Sequence, residues 1–147
     1  MPLFLKEYQK RCVKAMDKYF DKLKEEKEKF DAIPIEYQAD IIDYNKKVWE
    51  TIISENKYYS KKTGHGKWAP NFCLKIPTGG GKTILAIRSI EFFQKYVAKR
   101  KTGLILWVVP SEQIFSQTFK ALDNRAHPYR EELDFISGGR VLIKKKG

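Results

Sequence analysis

The sequence predicts an α/β domain with a parallel βαβ core behind an N-terminal helical segment. Three observations carry that expectation. A glycine-rich turn, Pro77–Thr83 (PTGGGKT), lies between a short apolar run and an amphipathic stretch. A second apolar run, Leu104–Val109 (LILWVV), follows. Ahead of both, apolar residues recur at the three- and four-residue spacing of helices. Strand, helix and strand of near-continuous apolar character is the sequence form of a parallel βαβ unit.

Each element has its own local reason. Leu5, Tyr8, Cys12, Met16, Tyr19, Phe20 and Leu23 mark one face of a first helix. From Asp21 the run DKLKEEKEKF continues it with charges at i,i+3 and i,i+4, which predicts a solvent-exposed end. Pro34 breaks the pattern. A second helix follows, with Tyr37, Ile41, Tyr44, Val48 and Ile52 on one stripe, so the two should pair as an antiparallel hairpin. Lys61–Asn71, with two glycines and a proline, reads as a loop. Phe72–Ile76 is the first expected strand, and Ile84–Arg100 a helix with Leu85, Ile87, Ile90, Phe93 and Val97 inward. The second strand, Leu104–Val109, stops at Pro110, and Ser111 can cap a helix running to about Leu122. A short helix near Pro128–Leu133 and a third strand near Val141–Lys145 complete the reading. Residues 1–68 thus form the helical segment and residues 69–147 the α/β part.

Composition bounds the function. In 147 residues, 42% are hydrophobic and 32% charged, which excludes wholesale disorder and a membrane-embedded chain. No apolar run approaches the roughly 20 residues that span a bilayer. Nor does MPLFLKEYQK have a signal peptide's order, so a cytoplasmic location is expected. Cys12 and Cys73 are too few for a disulfide scaffold. Cys73 reads as a small core residue. His65 and His127 stand apart, without ligand-spaced partners, and predict no metal site. The net charge is +11, from 29 basic and 18 acidic residues, and Tyr44–Lys101 alone carries 13 basic against 3 acidic. Such a segment attracts polyanions, nucleic acid above all and ATP on a smaller scale. Lysines kept only for solubility are the plainer alternative.

The turn PTGGGKT is the sharpest chemical feature. Its glycines let the backbone turn tightly and aim N–H groups at an anion, and the following helix adds its N-terminal dipole. Lys82 can reach the β- and γ-phosphates of a nucleotide, and the Thr83 hydroxyl suits Mg2+. The strict phosphate-loop pattern wants a glycine where Ile76 stands, yet the glycines beside the lysine are intact. Nearby, Tyr58, Tyr59 and Trp68 lie among Lys57, Lys61, Lys62 and Lys67. Aromatics among lysines can stack on bases while the lysines hold phosphates, or can simply anchor a loop on the core.

Two flanking segments resemble further motifs. LKEYQ (residues 5–9) resembles the glutamine motif of superfamily 2 helicases and translocases, and VVPSEQIFSQT (residues 108–118) resembles their motif Ia. With IPTGGGKT between them, the chain resembles the N-terminal part of a superfamily 2 motor, most of all the Res subunit of type III restriction enzymes. The likeness continues in AHPYREELDFISGGRV, residues 126–141. It implies a truncated RecA-like P-loop NTPase domain, with ATP and Mg2+ as cofactors. It also implies DNA rather than RNA as partner, together with the rest of the parent motor and a modification subunit.

By that resemblance Gln9 would hydrogen-bond the adenine edge, and Thr78, Gly79, Gly80 and Gly81 would wrap the phosphates. Lys82 would neutralise their charge and Thr83 would hold Mg2+. Pro110, Ser111 and Gln117 would border the nucleic-acid track. The plainer alternatives are a surface helix residue for Gln9, an N-cap for Ser111 and a solvent-facing Gln117. Residues 31–68 read as an insertion between Gln9 and the phosphate loop. After Thr83 no apolar run ends in the acidic pair that completes the Mg2+ site, and the arginine finger belongs to a second motor domain. The expectation is therefore a fragment of a longer protein, unable to turn over ATP alone. Its uncovered apolar faces should be met by self-association or by the N-terminal helices. A basic nucleic-acid- or partner-binding module with a degenerate phosphate loop is the alternative.

Overall fold

The computed structural model describes residues 3–146; Met1, Pro2 and Gly147, which the expected domain limits include, lie outside them. The elements in chain order are α1 (Glu7–Asp31), α2 (Ile35–Gln38), α3 (Tyr44–Ile52), β1 (Lys61–Lys62), β2 (Trp68–Ala69), α4 (Lys82–Phe92), α5 (Glu112–Asp123) and α6 (Pro128–Ser137). A π-helical turn, Phe93–Ala98, extends α4.

The main core forms where α1, α3 and α4 meet. It joins Met16, Tyr19, Phe20 and Leu23 of α1 to Tyr44 and Val48 of α3 and to Ile84, Leu85 and Phe92 of α4. Phe30 meets Tyr44 at 5.1 Å between ring centroids and Tyr19 meets Trp49 at 6.4 Å. The late end of α1 therefore lies on the early end of α3, and the two helices run antiparallel as expected. Leu5 precedes the first turn of α1. The charged end of α1 makes the expected ion pairs, Lys22–Glu25 and Lys29–Glu25 among them. Asp21, Glu25, Glu28, Lys29 and Asp31 are exposed as expected, but one face is not solvated: Leu23 and Glu26 are buried where α3 covers them.

The predicted second helix divides. Asp43 caps α3 by accepting the Asn45 N–H at 2.9 Å, and a side chain that captures a helix's first donors ends anything preceding it. Tyr37, on the short α2, is exposed in consequence. A second expectation is corrected at the end of α4. Phe92, seven residues after Leu85 and so on the same helical face, is buried, and Phe93, where the π-turn begins, is 42% exposed.

A smaller core joins Ile87 of α4 to Leu122 of α5 and to Leu133 and Ile136 of α6. Arg130, buried on α6, donates to the Leu122 carbonyl at 3.0 Å and the Val141 carbonyl at 3.2 Å while pairing with Asp134. Arg88 of α4 reaches Glu132 of α6 at 2.9 Å. Helix α6 runs further than predicted, with the His127 ring accepting the Tyr129 N–H at its start.

The predicted parallel core is where sequence and structure part. Among the described residues the one ladder is the antiparallel pair β1–β2, with Lys61 opposite Ala69 and Lys62 opposite Trp68. Residues 72–76, 104–109 and 141–145 carry no strand pairing. An apolar run becomes a strand only when a neighbour takes its N–H and C=O groups, and no two of these runs are joined that way here. Cys73, expected in the core, is exposed for the same reason.

A phosphate-loop site anchored on the first helix

The loop at residues 77–81 turns through Gly79 (φ +72°) and Gly81 (φ +78°), left-handed conformations that glycine adopts without strain. The Gly80 N–H closes the turn on the Pro77 carbonyl at 3.0 Å. Helix α4 begins immediately after, with Lys82 as its first residue.

The Gly80 carbonyl accepts two hydrogen bonds from α1, from the Tyr8 hydroxyl at 2.8 Å and from Gln9 Nε2 at 3.0 Å. Gln9 is 7% exposed, and its Oε1 accepts the Lys6 N–H at 2.8 Å, so one amide both caps α1 and holds the loop. In a trans peptide, C=O and the next N–H point in opposite directions. Pinning the Gly80 carbonyl on α1 therefore turns the Gly81 N–H away from α1, where it is free to meet an anion. A Cβ on Gly81 would stand 2.3 Å from Gln9 Nε2, so a side chain there would push aside the amide that holds the loop, besides straining the positive φ.

The residues present fit a nucleotide's phosphates. Lys82 is exposed, with no carboxylate partner among the described residues. Thr83 is half-buried, and its hydroxyl makes no side-chain hydrogen bond there. Around Gly79 the space is open to 4 Å. The structure thus brings Gln9, Thr78–Gly81, Lys82 and Thr83 to one place. Gln9 keeps one amide N–H and one lone pair beyond the bonds named above.

Pro110, Ser111 and Gln117 belong to a separate region at α5, and all are exposed. Ser111 caps α5, its Oγ accepting the Ile114 N–H at 3.3 Å. Tyr8 is the residue the sequence reading missed; a tyrosine on an apolar helical stripe reads as core, and its neighbour Gln9 was the better signal.

The comparison with protein families now decides the family. The family model described as "Type III restriction enzyme, res subunit" matches residues 3–146, nearly the whole chain. The chain belongs to that family. Neither a curated protein nor a solved structure matches it. As a type III res-family chain it takes the family's P-loop, helicase-like fold in general terms, with nucleotide binding as the family's general property. Among the described residues no three His, Cys, Asp or Glu side chains gather into a possible metal site. No described helix is long and apolar enough to cross a membrane.

Proposed function

We propose that this res-family chain is the ATP-binding N-terminal part of a DNA-dependent ATPase or translocase, with residues 1–68 as its helical segment and 69–147 as a partial RecA-like subdomain. The observation that carries the reading is the Gly80 carbonyl held on α1, which leaves the loop's N–H face to an anion. Thr78–Gly81 wrap the phosphates, Lys82 neutralises the γ-phosphate, Gln9 takes the adenine edge and Thr83 holds Mg2+. Mg2+ held at the Thr83 hydroxyl would offset the charge that develops on the phosphates. Lys82 is the residue of this chain that supports charge build-up on the γ-phosphate. After Thr83 no apolar run ends in an acidic pair that would orient water, and the proposal is of ATP binding rather than turnover by these residues alone. Pro110, Ser111 and Gln117 lie along the nucleic-acid path, DNA rather than RNA. The rest of the motor and a modification subunit are the protein partners, in the cytoplasm.

Calorimetric titration of Mg·ATP into the chain, with Lys82→Ala alongside, tests this. Saturable binding that the variant loses is expected. A folded sample that binds nothing, or a variant that binds equally well, overturns it. The hairpin lysines without acidic partners favour a second reading, a basic nucleic-acid- or partner-binding module with an idle phosphate loop. DNA affinity indifferent to both ATP and Lys82→Ala would establish that one.

A further inference from the structure

Between Glu55 and Glu91 the chain has no acidic residue, while Lys57, Lys61, Lys62, Lys67, Lys75, Lys82 and Arg88 all fall there. The contrast with α1 is direct. There Lys10, Lys22, Lys27 and Lys29 each face a carboxylate. Lys57, Lys61, Lys62 and Lys67 face none among the described residues. All four are exposed, and three of them belong to the β1–β2 hairpin and its turn.

The hairpin is held in place, so these lysines are presented by an ordered platform. Asn71 Nδ2 donates to the Tyr58 hydroxyl at 3.0 Å and the Tyr59 carbonyl at 3.2 Å. The Trp49 ring N–H donates to the Asn56 carbonyl at 2.6 Å, tying the approach to α3. The three aromatics of this region divide their tasks. Tyr58 is buried and Trp68 packs against the main core, with Lys62 Nζ 4.3 Å from its ring centre. Tyr59 is 64% exposed, with Lys57 Nζ 5.4 Å from its ring. Beside it opens a cleft of 350 Å³ walled by Trp49, Tyr58, Tyr59 and Phe72.

We propose that this hairpin and the cleft beside it are a docking surface for a single-stranded segment of nucleic acid, with Lys57, Lys61, Lys62 and Lys67 on its phosphates and Tyr59 stacked on a base. Unpaired lysines supply the counterion-release attraction that a polyphosphate backbone rewards. An exposed ring supplies the sequence-tolerant stacking that an unpaired base can use and a duplex cannot. None of the surface's residues is among those at α5 that the motif Ia likeness assigns to nucleic acid. The docking role rests on the reading that the chain meets nucleic acid, but not on ATP binding.

Fluorescence anisotropy with labelled single-stranded and duplex oligonucleotides, over a range of salt concentrations, tests it on the full chain. Lys61→Ala/Lys67→Ala should weaken single-strand binding about tenfold and flatten the salt slope by about 0.7 per lost contact. Lys61→Arg/Lys67→Arg should keep both. Lys14→Ala/Lys18→Ala removes the same charge from α1 and should leave both unchanged. Tyr59→Ala should cost about fivefold or more on single strands and much less on duplex. Equal losses from the α1 and hairpin variants, or duplex bound as tightly as single strand, overturn the proposal. So does binding to phosphatidylserine vesicles that exceeds binding to oligonucleotide. If the wild-type chain binds no nucleic acid at all, the DNA-dependent reading falls with it; if binding survives the hairpin variants, this surface alone is refuted.

Discussion

Gly80 is the residue at which the site is decided. Its carbonyl could face the nest and repel an anion, and two donors from α1 keep it turned away. Removing one should leave the other to hold a looser peptide. Tyr8→Phe is therefore expected to weaken Mg·ATP binding about fivefold, corresponding to the roughly 1 kcal/mol of an ordinary hydrogen bond, with the helical circular dichroism unchanged. Unchanged affinity would show that Gln9 alone orients the peptide. The sequence pointed to Gln9, the glycines, Lys82 and Thr83, because their chemistry is written in their types and spacing. It did not point to Tyr8, whose partner lies 72 residues away.

At the scale of elements, α1 and α3 are joined by a buried carboxylate. Glu26 pairs with Lys47 of α3 at 2.6 Å and with Lys29 at 3.0 Å. The Lys47 hydrogen bond, first among the causes, holds the Glu26 carboxyl below its usual 4.5, against the opposing pull of burial. A carboxyl lowered by folding stabilises the fold fully above its unfolded value, and the contribution disappears as pH falls through the lowered one. Glu26→Gln should therefore cost about 1–3 kcal/mol near neutral pH, read from urea midpoints. The gap between wild type and variant should close as the pH falls below the usual glutamate range. A gap that stays constant would assign the loss to packing. The ion pairs along α1 were legible because they lie within one helical turn, whereas Glu26–Lys47 joins different elements and left no periodic trace. The break before α3 had a visible signal in Asp43, a good N-cap residue inside an apolar stripe that otherwise read as continuous helix.

For the whole molecule, the consequential feature is the apolar run after α4 and its π-turn. Leu104 is fully exposed and Leu106 is 86% exposed, with Val108 nearly as open. Part of the expected remedy is in place, since α1 does pack on α4 and the π-turn. That cover stops short of residues 104–108, and an open apolar strand-former is a template for pairing. Light scattering on a size-exclusion column should show concentration-dependent association. Leu104→Lys/Leu106→Lys should return the chain to its monomer mass without lowering its thermal midpoint. A wild type that stays monomeric at high concentration would show that this edge is not adhesive.

By itself the sequence determined what depends on residues within a few positions of one another: the helical stripes, the Ser111 cap and a glycine turn able to cradle phosphate. Such features follow from spacing and side-chain chemistry, and they appear in the structure with shifted ends. Only the tertiary structure decided that Gln9 and Tyr8 close on Gly80 across the residues between them, and that the tyrosines of the basic region divide into one core anchor and one exposed ring. It also decided that the apolar runs carry no ladder. Apolar character prepares a run to be a strand, but the hydrogen bonds that make it one belong to its neighbour, and no rule of spacing along the run can supply them.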